Sequence, residues 1–228
     1  MALANLNNMP FRGPTIAFAI ILFGFGLWIL SVEFFRADVQ KLPADAQSAS
    51  LAASKRKDAG IAASIGFWRG DLWAESAYTY APLLWQEHPE SDQISLNQAR
   101  RSAETAISEA PHNAGVWLLL AGLSARFHWD TPSGNAALKM SYYTGPSEIS
   151  MIPLRLSLAT KSNALSDAEV QQFVQRDLHI ILSERPELKP AIIAAYRAAS
   201  HQGQDDFQRL IRDIDPAFAQ TLQTPIAN

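Results

Sequence analysis

The hydrophobic pattern of this chain falls into two regimes. Residues 14–32, PTIAFAIILFGFGLWILSV, form one apolar run without a charge, polar only at Thr15 and Ser31. At 1.5 Å of rise per residue the run makes about 28 Å of helix, close to the hydrocarbon thickness of a bilayer. Arg12 stands before it, and Glu33, Arg36 and Asp38 follow at once. Trp28, Phe34 and Phe35 fall where an interfacial aromatic belt is expected. The run therefore predicts a single transmembrane helix.

After it the apolar positions recur at helical spacing, and no segment alternates with a period of two for long enough to make a sheet. Pro43 breaks any helix continuing from the membrane. Leu51, Ala52, Ala59, Ala62, Ala63 and Ile65 then predict a small-faced helix in an Ala/Ser-rich stretch. Gly66 to Gly70 read as a break, with Asp71 capping a helix from Leu72 to about Trp85 whose face is Trp73, Ala77, Tyr80 and Leu84. The tripeptide Arg69-Gly70-Asp71 is explained by that turn and cap. His88 to Asp92 read as a loop.

Ala99, Ala103, Ala106 and Ala110 place small residues on one face of the next helix. Pro111-His112-Asn113 is a tight connection, and Trp117, Leu120, Ala121 and Ser124 belong to the helix after it. Phe127 to Pro132 end that helix, residues 135–143 form another, and Gly145-Pro146 is a stop. A helix over 148–160 follows. Ser166 and Glu169 form an expected capping box, opening a helix with Val170, Phe173, Val174, Leu178, Ile181 and Leu182 on one face. Pro186 ends it and Pro190 starts another, running to about Ser200. Gly203 is expected to separate a last pair, 205–214 and 216–222.

Composition narrows the picture. Of 19 basic residues only Arg12 precedes the domain, so residues 33–228 carry 18 against 22 acidic ones. A weakly acidic surface argues against nucleic acid, which needs a clustered basic footprint. With no cysteine there is no disulfide, thiolate nucleophile or Cys-ligated metal.

A signal peptide has an apolar core of about 7–15 residues with a small-x-small site close behind it. Here the core is longer and Ala44-Asp45-Ala46 lies far downstream, so the run is expected to stay as an uncleaved signal-anchor. A short tail with one charge, one anchor and a large C-terminal domain predict a bacterial inner-membrane protein with its domain in the periplasm. The run Lys55-Arg56-Lys57 is the alternative contact, with anionic cytoplasmic lipid. The expected divisions are a tail at 1–13, the transmembrane helix at 14–32, a linker at 33–50 and an all-helical domain at 51–228.

One segment resembles the tetratricopeptide repeat. Ala106, Pro111 and Trp117 stand five and six residues apart, as in that family, and Leu120 and Ala121 occupy its Leu-Gly positions. Ser124 stands where the family favours Tyr, Ala137 and Met140 replace its Phe and Ala, and Pro146 comes one residue late. The resemblance spans residues 100–146, about one and a half degenerate units. It implies an all-α domain of stacked helical hairpins in which each unit buries its face on a neighbour. It also implies a scaffold that binds a protein partner, with His112, Asn113 and Arg126 near the repeat turn as candidate contacts. Residues 68–85 and 137–148 are similar to small membrane-anchored proteins of bacterial surface-polysaccharide systems.

Candidate chemistry is sparse. His88, His112, His128, His179 and His201 form no close metal spacing, and His128 and Asp130, two apart, face away from each other on a helix. No phosphate-binding glycine loop and no GxSxG is present. No catalytic, cofactor-binding or metal-binding residue is therefore assigned. Trp68, Trp73, Trp85, Trp117 and Trp129 with Tyr78, Tyr80, Tyr142 and Tyr143 read as core and inter-helix wedges, or as part of a concave face gripping a peptide or glycan. Two other expectations stay open. One is an accessory subunit acting mainly through its helix, where Thr15 and Ala19 with Gly24 and Gly26 are the small residues. The other is an envelope glycan-acting enzyme, which needs one of Glu87, Glu90, Asp130 or Glu148.

Overall fold

The computed structural model describes residues 12–86, 93–127 and 134–223. Among them are twelve α-helices and no strand. Helix α1, Arg12–Phe35, contains the apolar run. It is the one described helix long and apolar enough to cross a membrane, and only 6% of its most apolar window is buried in the protein. The chain then runs without helix to Asp45.

Asp45 caps α2, Ala46–Ser54, by accepting from Ser48 N at 2.8 Å, while the Ser48 hydroxyl reaches back. Helix α3, Arg56–Ile65, follows after a break at Lys55. The single helix expected there is thus two, and Leu51 points outward, 66% exposed, while Ala49, Ala52, Ala59, Ala62 and Ala63 are buried. Lys55 has left the helical conformation, and its Nζ donates to the Ala37 carbonyl at 2.7 Å, tying the break to the non-helical segment leaving α1.

Helix α4 is Gly70–Tyr78 rather than a helix from Leu72 to Trp85. Pro82 explains the early end. It lacks the amide that would bond the Tyr78 carbonyl and its ring crowds that oxygen, so the chain continues as a 3-10 turn, Ala81–Leu84. Asp71 is also not the cap: Arg69 holds that position and Asp71 lies in the first turn.

Helix α5, Gln93–Glu109, buries Ala99, Ala103 and Ala106 completely. Helix α6, Ala114–Phe127, is the apolar centre of the domain. Its Leu118, Leu119, Leu120 and Leu123 are at most 1% exposed. The connection is a tight turn in which Trp117 Nε1 donates to the Pro111 carbonyl at 2.7 Å. Helix α7 is Gly134–Thr144. The neighbours that pack most extensively are α4 with α5 and α6 with α7, so the centre of the domain is built from consecutive helix pairs.

A 3-10 turn, Ile149–Met151, leads into α8, Ile152–Lys161. Helix α9, Ala168–His179, is capped by Asp167, which accepts from Glu169 N at 2.9 Å. The capping box expected from Ser166 does not form: Ser166 donates to Asn163 O, and Glu169 turns to Tyr143 and Lys139 instead. Asp167 wins because it also receives Lys139 Nζ at 3.0 Å. A π turn, Ile180–Glu184, precedes Pro186, and Pro190 lies in the first turn of α10, Lys189–Arg197.

Helix α11, His201–Ile214, runs through Gly203, and α12 is Pro216–Gln223. Gly203 was expected to break the chain; it serves close packing instead. A Cβ there would lie 1.9 Å from the Thr160 carbonyl oxygen, which also accepts from Ser200 N at 3.2 Å. The start of α11 is thereby pressed onto the end of α8.

Candidate functional site

Two places in the fold concentrate chemistry. The first is the junction between α1 and the helical domain. Trp28 donates its indole N–H to the Ile65 carbonyl at 3.2 Å and stacks on Trp68, ring centroids 4.6 Å apart. One turn later Val32 is fully buried among Ala62, Ala63 and Leu72. The small faces of α3 are what let α1 approach so closely. The last two turns of an otherwise uncovered helix are therefore part of the domain's packing.

Charges lie immediately beyond. Arg69 bridges Glu33 at 2.9 Å and Asp71 at 2.7 Å. Arg36 reaches Glu75 at 2.8 Å, Glu33 at 3.4 Å and Asp71 at 3.7 Å. Glu75 is 3% exposed and also accepts from the Asp38 amide at 3.0 Å. That bond accompanies a left-handed backbone at Asp38, φ 56°, a conformation that aspartate tolerates better than most residues. Hydrogen bonding to Glu75 raises the Arg36 guanidinium pKa, and hydrogen bonding to Arg69 lowers that of Asp71. Each proton state reinforces the network at neutral pH.

The second place is a buried polar knot joining α7, α8 and α9. Arg155 is wholly buried; its Nε donates to Ser141 Oγ at 3.2 Å and its Nη2 to the Gly145 carbonyl at 3.0 Å. The guanidinium lies 4.5 Å from the centre of the Tyr142 ring, whose other neighbour is Phe173 at 4.8 Å. Asp177, also fully buried, completes the group. Tyr142 Oη, Arg155 Nη1 and both Asp177 oxygens make no hydrogen bond of normal geometry. Burial pushes the Asp177 carboxyl up to about 6, against the opposing pull of Arg155, and pushes Arg155 down. Nothing in the sequence joined these residues, because Arg155 and Asp177 meet only through tertiary packing.

The three candidate contact residues are not brought together. His112 and Asn113 precede α6 and Arg126 lies near its far end, about 20 Å away at helical rise. Asn113 works inside the fold: its Oδ1 accepts from Tyr78 Oη at 2.6 Å and from Val116 N at 3.2 Å. Arg126 donates to the Leu84 carbonyl at 2.8 Å and to that of Gln86, holding the 3-10 turn after α4. His112 is exposed. Tyr78, Tyr80 and Tyr142 are core wedges, at most 6% exposed, whereas Trp68 is half exposed. Glu148 is exposed before the Ile149–Met151 turn. Glu87, His88, Glu90, His128, Trp129 and Asp130 lie outside the described residues. Among the described residues no cluster of three His, Asp or Glu side chains could hold a metal ion.

No family model, curated protein or solved structure matches the chain.

Proposed function

We propose that this chain is a membrane-anchored adaptor whose helical domain binds a protein partner in a bacterial cell-envelope complex, one engaged in surface-polysaccharide assembly or export. In this reading the domain lies on the periplasmic side of the inner membrane and does no catalysis. The observation that carries it is the junction: a domain of consecutive helix pairs is clamped, through Trp28, Val32 and Arg36, to the end of a membrane-length helix. Such a clamp holds a protein surface at a set height and angle above a bilayer, which is what recruitment of a partner needs. The resemblance of residues 100–146 to tetratricopeptide units supports protein binding by analogy. Of the three candidate contacts His112 and Arg126 are exposed and fit a surface role, while half-buried Asn113 supports the turn beneath His112.

In-cell crosslinking followed by mild-detergent purification of the full chain and mass spectrometry tests this. Reproducible recovery of an envelope protein supports it, cytoplasmic partners reverse the orientation, and a solitary protein overturns it. In a second reading the membrane helix itself does the work, with the small residues Thr15, Ala19, Gly24 and Gly26 as its packing surface. Replacing residues 13–27 with an unrelated apolar helix separates the two. Partner recovery that survives the exchange rules out the second.

A further inference from the structure

We propose that the turn between α3 and α4, with Phe67 and Trp68 at its tip, is a second membrane contact that seats the domain in the interfacial layer of the bilayer. The inference rests on α1 spanning the membrane, and it begins from a length. From Gly13 to Leu27, the part of α1 not engaged by the domain, there are fifteen residues. At 1.5 Å each they cover about 22 Å, against about 30 Å of hydrocarbon. The remaining 8 Å or so must come from the next turn and a half, residues 28–32. That stretch is the one docked on the domain through Trp28 and Val32. Whatever packs against it enters the membrane with it.

The exposed side of the docked stretch agrees. Ile29 on the flank of the clamp and Leu30 opposite it are 39% and 66% exposed, so this level of the helix still presents apolar surface. On the domain side Phe67 and Trp68 are 61% and 50% exposed, and their rings meet edge to face at 4.6 Å. Phe34 is more exposed still, at 82%. An uncovered tryptophan beside a membrane helix suits the interface, where its apolar ring and its N–H are both satisfied, and the phenylalanines beside it add apolar area. The Trp68 ring continues the Phe25–Trp28 stack outward, so the aromatic surface is continuous from helix to turn. The charged network of Glu33, Arg36, Arg69 and Asp71 starts one residue past Trp68 and one past Val32. The apolar-to-charged boundary therefore falls at the same height on both elements, as one planar surface requires.

Because the chain has no cysteine, single introduced thiols report position cleanly. Full-length Leu22→Cys, Phe67→Cys and Asp205→Cys, each carrying a nitrobenzoxadiazole label, are reconstituted into phosphatidylcholine vesicles containing lipids brominated near the headgroup or near the chain end. The Leu22 label should be quenched by the deep bromines. The Phe67 label should be quenched more by the shallow bromines than by the deep ones, as an interfacial group is. The Asp205 label should lose none. A label at Ser64, one turn before Phe67, keeps both aromatics in place and should also be quenched, and adding Phe67→Glu should remove that quenching. Quenching at Leu22 with none at Phe67 or Ser64 overturns this inference and leaves the spanning helix standing. No quenching at Leu22 overturns both.

Discussion

A methyl group at position 203 would collide with the Thr160 carbonyl oxygen, so Gly203→Ala must push α11 off α8. Overpacking of this kind costs about 1–3 kcal/mol. In thermal unfolding of the full chain in detergent, the variant should melt several degrees lower. Asp177 makes a different kind of residue-scale prediction. Its carboxyl is raised to about 6 when folded, mainly by burial, against about 3.9 unfolded. The folded state therefore holds the proton more tightly. The stability this contributes is fully present below about pH 4 and lost as pH rises through 6. The groups facing it are Arg155 on α8, Tyr142 on α7 and Arg176 on its own helix, and the first and last carry charges that oppose the shift. Asp71, held low by Arg69, acts in the opposite sense and only at lower pH, where it loses its contribution as protons arrive. Melting temperature should thus rise as the pH is taken from 7.5 to 5, and Asp177→Asn should flatten that rise.

Between elements, the decisive contact is Arg36 to Glu75. Removing the guanidinium in Arg36→Ala leaves a carboxylate 3% exposed with only the Asp38 amide. Allowing for the partial exposure of Arg36, the cost should be about 1–3 kcal/mol. Hydrogen exchange should accelerate across residues 36–45 and the start of α4 but not in α9 or α11. Unchanged exchange at residues 36–45 would show that Arg36 is not the latch. Much at this scale was legible beforehand. Local chemistry announces itself, so the apolar run, the Pro111 turn, the Pro186 stop and the Pro190 start all stand where the sequence put them. Where two local signals competed, sequence alone picked the wrong one. The apolar periodicity over 72–85 runs straight through Pro82, and Ser166 competes as a cap with its neighbour Asp167, whose lysine partner lies 28 residues away. Gly203 looked like a breaker because its reason for being small, the Thr160 carbonyl, is invisible without the fold. The junction was hidden for the same reason: Trp28 signalled an interface, but nothing linear joined it to Ile65 and Trp68.

For the whole molecule, orientation is the property with the largest consequence. With the domain outside the inner membrane, Asp205→Cys in intact bacterial cells should react with a maleimide that crosses the outer but not the inner membrane. Labelling only after the inner membrane is opened would place the domain in the cytoplasm and move the search for partners there. The clamp at Trp28 and Val32 also fixes an angle. A lone membrane helix on a loose linker spins freely about its axis, and it must surrender that freedom to pair side-on with another helix. Here α1 turns only together with the domain, so a helix that pairs with a given flank of α1 in a bilayer also fixes which way the domain faces. A partner that engages helix and domain together then has one internal rotation fewer to freeze, which makes such two-point binding both easier and directional.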